Sequence, residues 1–162
     1  MDFFDTQYIT ETARNEVRFG LVDDGLRARS AIGDEHRWLA VVNNPQCKEV
    51  QFVPVDHNIK MMDGKNERSM CDGMLYDKER SWLAFVEMKE QISEWMRDAR
   101  NQLESTIEAF RANHDENLFR YRFAYAANRK HPHFQFSQKE TMQRFRNKFN
   151  FRLLFQKNID VK

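Results

Sequence analysis

Apolar positions along the chain alternate with polar ones in short runs through its middle and fall three or four apart on either side. Ile9, Ala13 and Val17 keep the longer spacing and predict a helix over residues 6–20, with Gly20 as its stop. Trp38 to Val42 reads as a short buried strand. Asn43-Asn44-Pro45-Gln46 reads as a turn, and the alternating Val50 to Val55 as a hairpin partner placed near a sheet edge by Pro54. Residues 57–69 are polar, with Asp63-Gly64-Lys65-Asn66 as a turn or loop. Two apolar strands follow, Cys71 to Tyr76 and Trp82 to Lys89.

Ile92, Trp95, Met96, Ala99, Leu103, Ile107 and Phe110 then predict a long amphipathic helix over residues 92–112. Tyr121 to Ala127 is the next strand, and strand, helix, strand in that order imply a right-handed parallel crossover. Ser137 to Glu140 has the form of a capping box before a helix whose apolar face is Met142, Phe145 and Phe149. Phe151 to Phe155 reads as the last strand. These elements predict a single α/β domain over residues 1–162, with a central mixed sheet flanked by helices.

A chain of 162 residues, 41% hydrophobic and 31% charged, suits one domain with a real core. It has no apolar run of the ~18 residues that a membrane helix needs. Met1 to Asp5 lacks the basic and apolar regions of a signal peptide. The expectation is therefore a cytoplasmic protein, with Cys47 and Cys71 reduced. Net charge is +1 but uneven: residues 1–119 hold 15 basic and 23 acidic side chains, whereas residues 120–162 hold 11 and 2. A basic surface from the last third suits a polyanion, or else neutralises the acidic part within the fold.

The strand from Trp82 ends in Glu87-Met88-Lys89, and side chains two apart on a strand share a face. An even-length loop to the preceding strand pairs Asp77 with Arg80, or Tyr76 with Ser81. Either pairing sets Asp72 opposite Phe85, on the same face as Glu87 and diagonal to it at roughly 5–8 Å. Two carboxylates so placed can hold one hard divalent ion, and an adjacent lysine can stabilise developing negative charge. The constellation points to metal-assisted phosphodiester hydrolysis. Asp63-Gly64-Lys65 repeats the acid-x-Lys spacing, but in a polar turn. His131-Pro132-His133 lacks the further ligands of a zinc site.

Asp72, fourteen residues, then Glu87-Met88-Lys89 resembles the PD-(D/E)xK signature of restriction-endonuclease-like nucleases, with Cys71 in place of the proline. The resemblance covers about residues 6–128. It implies a restriction-endonuclease-like fold and a Mg²⁺- or Mn²⁺-dependent nuclease acting on DNA more than RNA. In it Asp72, Glu87 and the Met88 carbonyl are ligands, and Lys89 positions the attacking water. In several branches an acid on the first helix completes the site, which makes Glu16 or Glu11 the candidate. Some exonuclease branches carry Gln-x-x-x-Tyr on the helix after the lysine; Gln102 is kept here and the tyrosine is not. Arg129, Lys130, Arg144 and Lys148 are candidate nucleic-acid contacts through phosphates. A homodimer is compatible with this reading. The alternative is a catalytically inactive module of the same fold that binds nucleic acid or a protein partner.

Overall fold

The computed structural model describes residues 1–131 and 138–162. Two β-sheets lie face to face, and the helices cover the outer face of the larger one. The larger sheet has the linear order β4 (Val50–Pro54), β7 (Gly73–Asp77), β8 (Trp82–Lys89), β9 (Tyr121–Asn128) and β10 (Arg152–Phe155). The β7 strand is antiparallel to both neighbours, whereas β8, β9 and β10 are mutually parallel. Helices α1 (Trp95–Asn113) and α2 (Lys139–Phe149) make the two crossovers between these parallel strands. The mixed α/β sheet, the hairpin, both later helices and the crossover match the sequence pattern.

The other face of that sheet packs against a second sheet, ordered β11 (Asn158–Asp160), β3 (Ala40–Asn43), β1 (Arg18–Asp23) and β2 (Ala28–Ala31). Alternate residues of β8 divide between two cores. Leu83 and Phe85 join Leu103, Ile107 and Phe110 of α1 on the helix side. Trp82, Ala84 and Val86 join Phe19, Leu21 and Val42 between the sheets. A sheet with both faces buried accounts for the nearly continuous apolar run of β8. Among the described residues the sheet is thus flanked by helices on one face only.

Three expectations are corrected. Residues 6–20 form no helix: Thr6–Tyr8 is a single 3₁₀ turn, Arg14 bridges Val50, and β1 begins at Arg18. Gly20 is no helix stop. It lies mid-strand beneath Trp38, whose ring a Cβ would meet at 2.1 Å. Strand β4 joins β7 in the larger sheet instead of forming a hairpin with β3. Within residues 57–69 the expected Asp63-Gly64-Lys65-Asn66 turn is present and closes a short hairpin, β5 (Met62–Asp63) and β6 (Asn66–Glu67). Ser137 of the expected capping box, with Pro132 and His133, lies outside the described residues. Both cysteines are free, Cys47 exposed and Cys71 buried. Among the described residues no helix is long and apolar enough to cross a membrane.

Candidate functional site

The hairpin loop determines which residues face one another. Asp77, 1% exposed at the end of β7, accepts the backbone N–H groups of Ser81 and Trp82, each at 2.8 Å, and the Ser81 hydroxyl at 2.6 Å. These bonds close a four-residue loop, Lys78 to Ser81, and the ladder runs from Tyr76↔Leu83 to Gly73↔Val86. Extended by one step, that ladder sets Asp72 opposite Glu87. The expected register, with Asp72 opposite Phe85, is therefore two residues out. Because the slip is even, the expected face survives, since side chains alternate with period two.

At this step the carboxylates take over from the backbone ladder. Asp72 Oδ2 accepts the Met88 N–H at 2.7 Å, while the Asp72 N–H donates to Glu87 Oε1 at 3.1 Å. The Asp72 carbonyl accepts from Val55 N on the other side at 2.9 Å. Lys89 Nζ lies 3.0 Å from Glu87 Oε2. Gly73, adjacent to Asp72, has no room for a side chain: a Cβ would stand 2.2 Å from the Phe52 ring. Beside Glu87 on β9 is Ala126, a residue small enough to leave space for the carboxyl.

Glu87 is 2% exposed, and burial raises its pKa well above the usual carboxylate range. The Asp72 charge adds to that rise, and Lys89 opposes it only in part. Burial likewise pushes Asp72 up to about 6, against the pull of the Met88 N–H. Each carboxyl shifts the other: their mutual interaction favours the charged form of Asp72 and the protonated form of Glu87. Asp23, at the end of β1, and Asp56, two residues past β4, add negative potential at Asp72. Sequence reasoning missed both. Their signal is the one that marked Glu87, an acid directly after a buried apolar run.

Asp72, Glu87 and Lys89 are therefore together, half-buried and open to solvent through Asp72 and Lys89. Glu16 is not with them. Its carbonyl accepts from Asn44, and neighbouring Arg14 bridges Val50, at the end of β4 away from the Pro54↔Gly73 pair. Glu11 is engaged with Ser30 of β2, through both its backbone N–H and its hydroxyl. Gln102 sits one turn before Thr106, whose hydroxyl accepts the Cys71 N–H at 2.7 Å, so this turn of α1 lies beside the segment carrying Asp72. Arg129 follows β9 just past the Lys89↔Asn128 pair but is tied to Glu90 and the His36 carbonyl. Lys130 is exposed, as are Arg144 and Lys148 on α2.

The donor set suits a hard cation. It is all oxygen, and its two carboxyls stand together at the end of the β7–β8 hairpin. Among the described residues no group of three or more His, Cys, Asp or Glu is arranged to hold a metal ion. Water and substrate oxygens would have to complete the shell, a mode typical of Mg²⁺. No protein-family model matches this chain, and no curated protein or solved structure is significantly similar to it.

Proposed function

We propose that the protein is a metal-dependent nuclease, hydrolysing phosphodiester bonds in DNA more readily than in RNA. The observation that carries the proposal is the buried Asp72–Glu87 carboxyl pair, held at the mouth of the β7–β8 hairpin with Lys89 against it. The PD-(D/E)xK resemblance adds to it, as do a crossover helix directly after the lysine strand and a basic last third. Asp72 and Glu87 would hold Mg²⁺ or Mn²⁺, and the Met88 carbonyl is the third donor that the resemblance suggests. When bound, the ion supplies Lewis-acid polarisation of the phosphodiester and a coordinated water of lowered pKa.

The chain's own residues do the rest. Burial of Glu87 keeps bulk water off one side of the pair and strengthens each electrostatic contact within it. Lys89 presents an ammonium to the charge that develops on the phosphoryl oxygens as water attacks phosphorus and the leaving alkoxide departs. The Met88 N–H holds the Asp72 carboxylate in place.

The test is cleavage of plasmid and single-stranded DNA with Mg²⁺ or Mn²⁺, comparing wild type with Lys89→Ala and Asp72→Ala. The expected result is metal-dependent cleavage by wild type, a loss of about 10²-fold or more in Lys89→Ala, and none in Asp72→Ala. Equal cleavage by all three would place the chemistry elsewhere. A non-cutting module of the same fold is the second reading. It draws on the reciprocal carboxylate-to-backbone bonds, which close the end of the ladder without any metal. Metal binding with no cleavage by any of the three would favour it.

A further inference from the structure

Two adjoining cavities form one groove between α1 and α2. The first, about 310 Å³, is lined by Arg100 and Glu104 of α1 and by Thr141, Arg144, Phe145 and Lys148 of α2. The second, about 240 Å³, shares Arg100 and Thr141 and continues past Met96 and Arg97 to Ile92. Ile92 is 76% exposed and lies three residues beyond Lys89. The groove therefore runs from a basic end on α2 to the loop that leaves the Asp72–Glu87–Lys89 site.

The two ends differ in chemistry. Among the described residues, neither Arg144 nor Lys148 makes an ion pair, whereas Arg100 has only a long contact of 3.8 Å to Glu104. Three cations against one carboxylate suit a run of phosphates. At the other end, Ile92 is exposed apolar surface, and Met96, packed against the helix-side core, leaves part of its side chain uncovered. In a duplex the bases are stacked inside and unavailable to such surface. In a single strand, phosphates and unstacked bases are presented together, and a cationic groove ending in an exposed aliphatic side chain can meet both.

We propose that the α1–α2 groove binds a single-stranded nucleic acid segment. Its phosphates lie on Arg100, Arg144 and Lys148, its bases rest against Ile92 and Met96, and its end is delivered to Lys89. Only the delivery step rests on the nuclease reading; the binding does not.

The test is fluorescence anisotropy of the full chain with a labelled single-stranded oligonucleotide in EDTA, so that binding is measured without cleavage. A duplex of the same sequence and polyglutamate serve as competitors. The single strand should compete about tenfold better than the duplex, the equivalent of burying one aliphatic side chain against a base, and polyglutamate should compete poorly. Arg144→Ala with Lys148→Ala should reduce the log–log salt slope by about 1.4, or about 0.7 for each phosphate no longer neutralised. Ile92→Ser should weaken single-strand binding about tenfold and leave that slope unchanged. Equal competition by duplex or polyglutamate, an unchanged slope in the double variant, or no binding would overturn the proposal. Tight single-strand binding by a protein that cuts nothing would overturn the nuclease reading alone.

Discussion

Replacing Asp72 by Asn should make the metal-free protein more stable at alkaline pH while removing its metal site. The neutral amide is close in shape to the protonated acid, can still accept the Met88 N–H, and offers a donor to Glu87. Burial raises the Asp72 pKa from an ordinary 3.8 to about 6. A group with a raised folded pKa contributes its full stability below the unfolded value and loses it as pH rises through the folded one. Two units correspond to about 3 kcal/mol. Asp72→Asn and wild type should therefore match near pH 3.5, diverge between pH 4 and 6, and differ by up to about 3 kcal/mol at pH 8 in favour of the variant. For a chain of this size that is roughly 6–12 °C in melting temperature. Urea denaturation in EDTA at a series of pH values measures the difference. Mg²⁺ at about a hundred times its dissociation constant should then add about 2.7 kcal/mol to wild type and nothing to the variant. A variant less stable than wild type at pH 8, or an offset independent of pH, would refute the reasoning. The carboxylate would then stabilise the hairpin as an anion.

Metal uptake should release protons, because burial raises the Glu87 pKa and a bound cation takes the carboxylate form; calorimetry in buffers of different ionisation enthalpy would read this directly. Gly73→Ala should destabilise the protein by about 3 kcal/mol, the upper end of the overpacking range. Its Cβ would meet the Phe52 ring at 2.2 Å, and urea denaturation measures the loss. A thiol reagent should modify Cys47 in the native protein and reach Cys71 only after unfolding. Cys71 is fully buried and its thiol pKa is raised, chiefly by that burial.

The larger sheet was legible because its elements carry long, unambiguous signals. Helix α1 keeps its apolar spacing over five turns, and β8 and β9 are apolar runs of strand length with a helix between them. The first forty residues were misread because Ile9, Ala13 and Val17 imitate a helical stripe. In the fold Ile9 packs against the helix-side core, Val17 is 58% exposed, and Phe19 and Leu21 enter the space between the sheets. Three- and four-residue spacing over a short, Arg- and Glu-rich segment is weak evidence, and nothing local announces that Trp38 will lie across Gly20. Strand β11 is three residues long and pairs with β3, distant in sequence, so its signal is almost wholly tertiary.

The site was legible for a narrower reason. A sheet buried on both faces should tolerate no carboxylate within its apolar run, so Glu87 stands out wherever the register falls. The partner of Glu87 was harder. The correct pairing depends on Asp77 taking the Ser81 and Trp82 N–H groups, a contact made by side-chain geometry instead of apolar pattern. Only the evenness of the loop kept Asp72 on the right face. The same contacts explain why the pair can be both structural and functional. Each carboxyl accepts a backbone N–H from the opposite strand, and those bonds hold the two groups in a half-buried place where burial raises both pKa values. If the pair served the fold alone, a neutral amide at Asp72 would close the ladder with less strain. An acid retained at this position has a cost that a bound cation would offset, and the Asp72→Asn stability profile measures that cost.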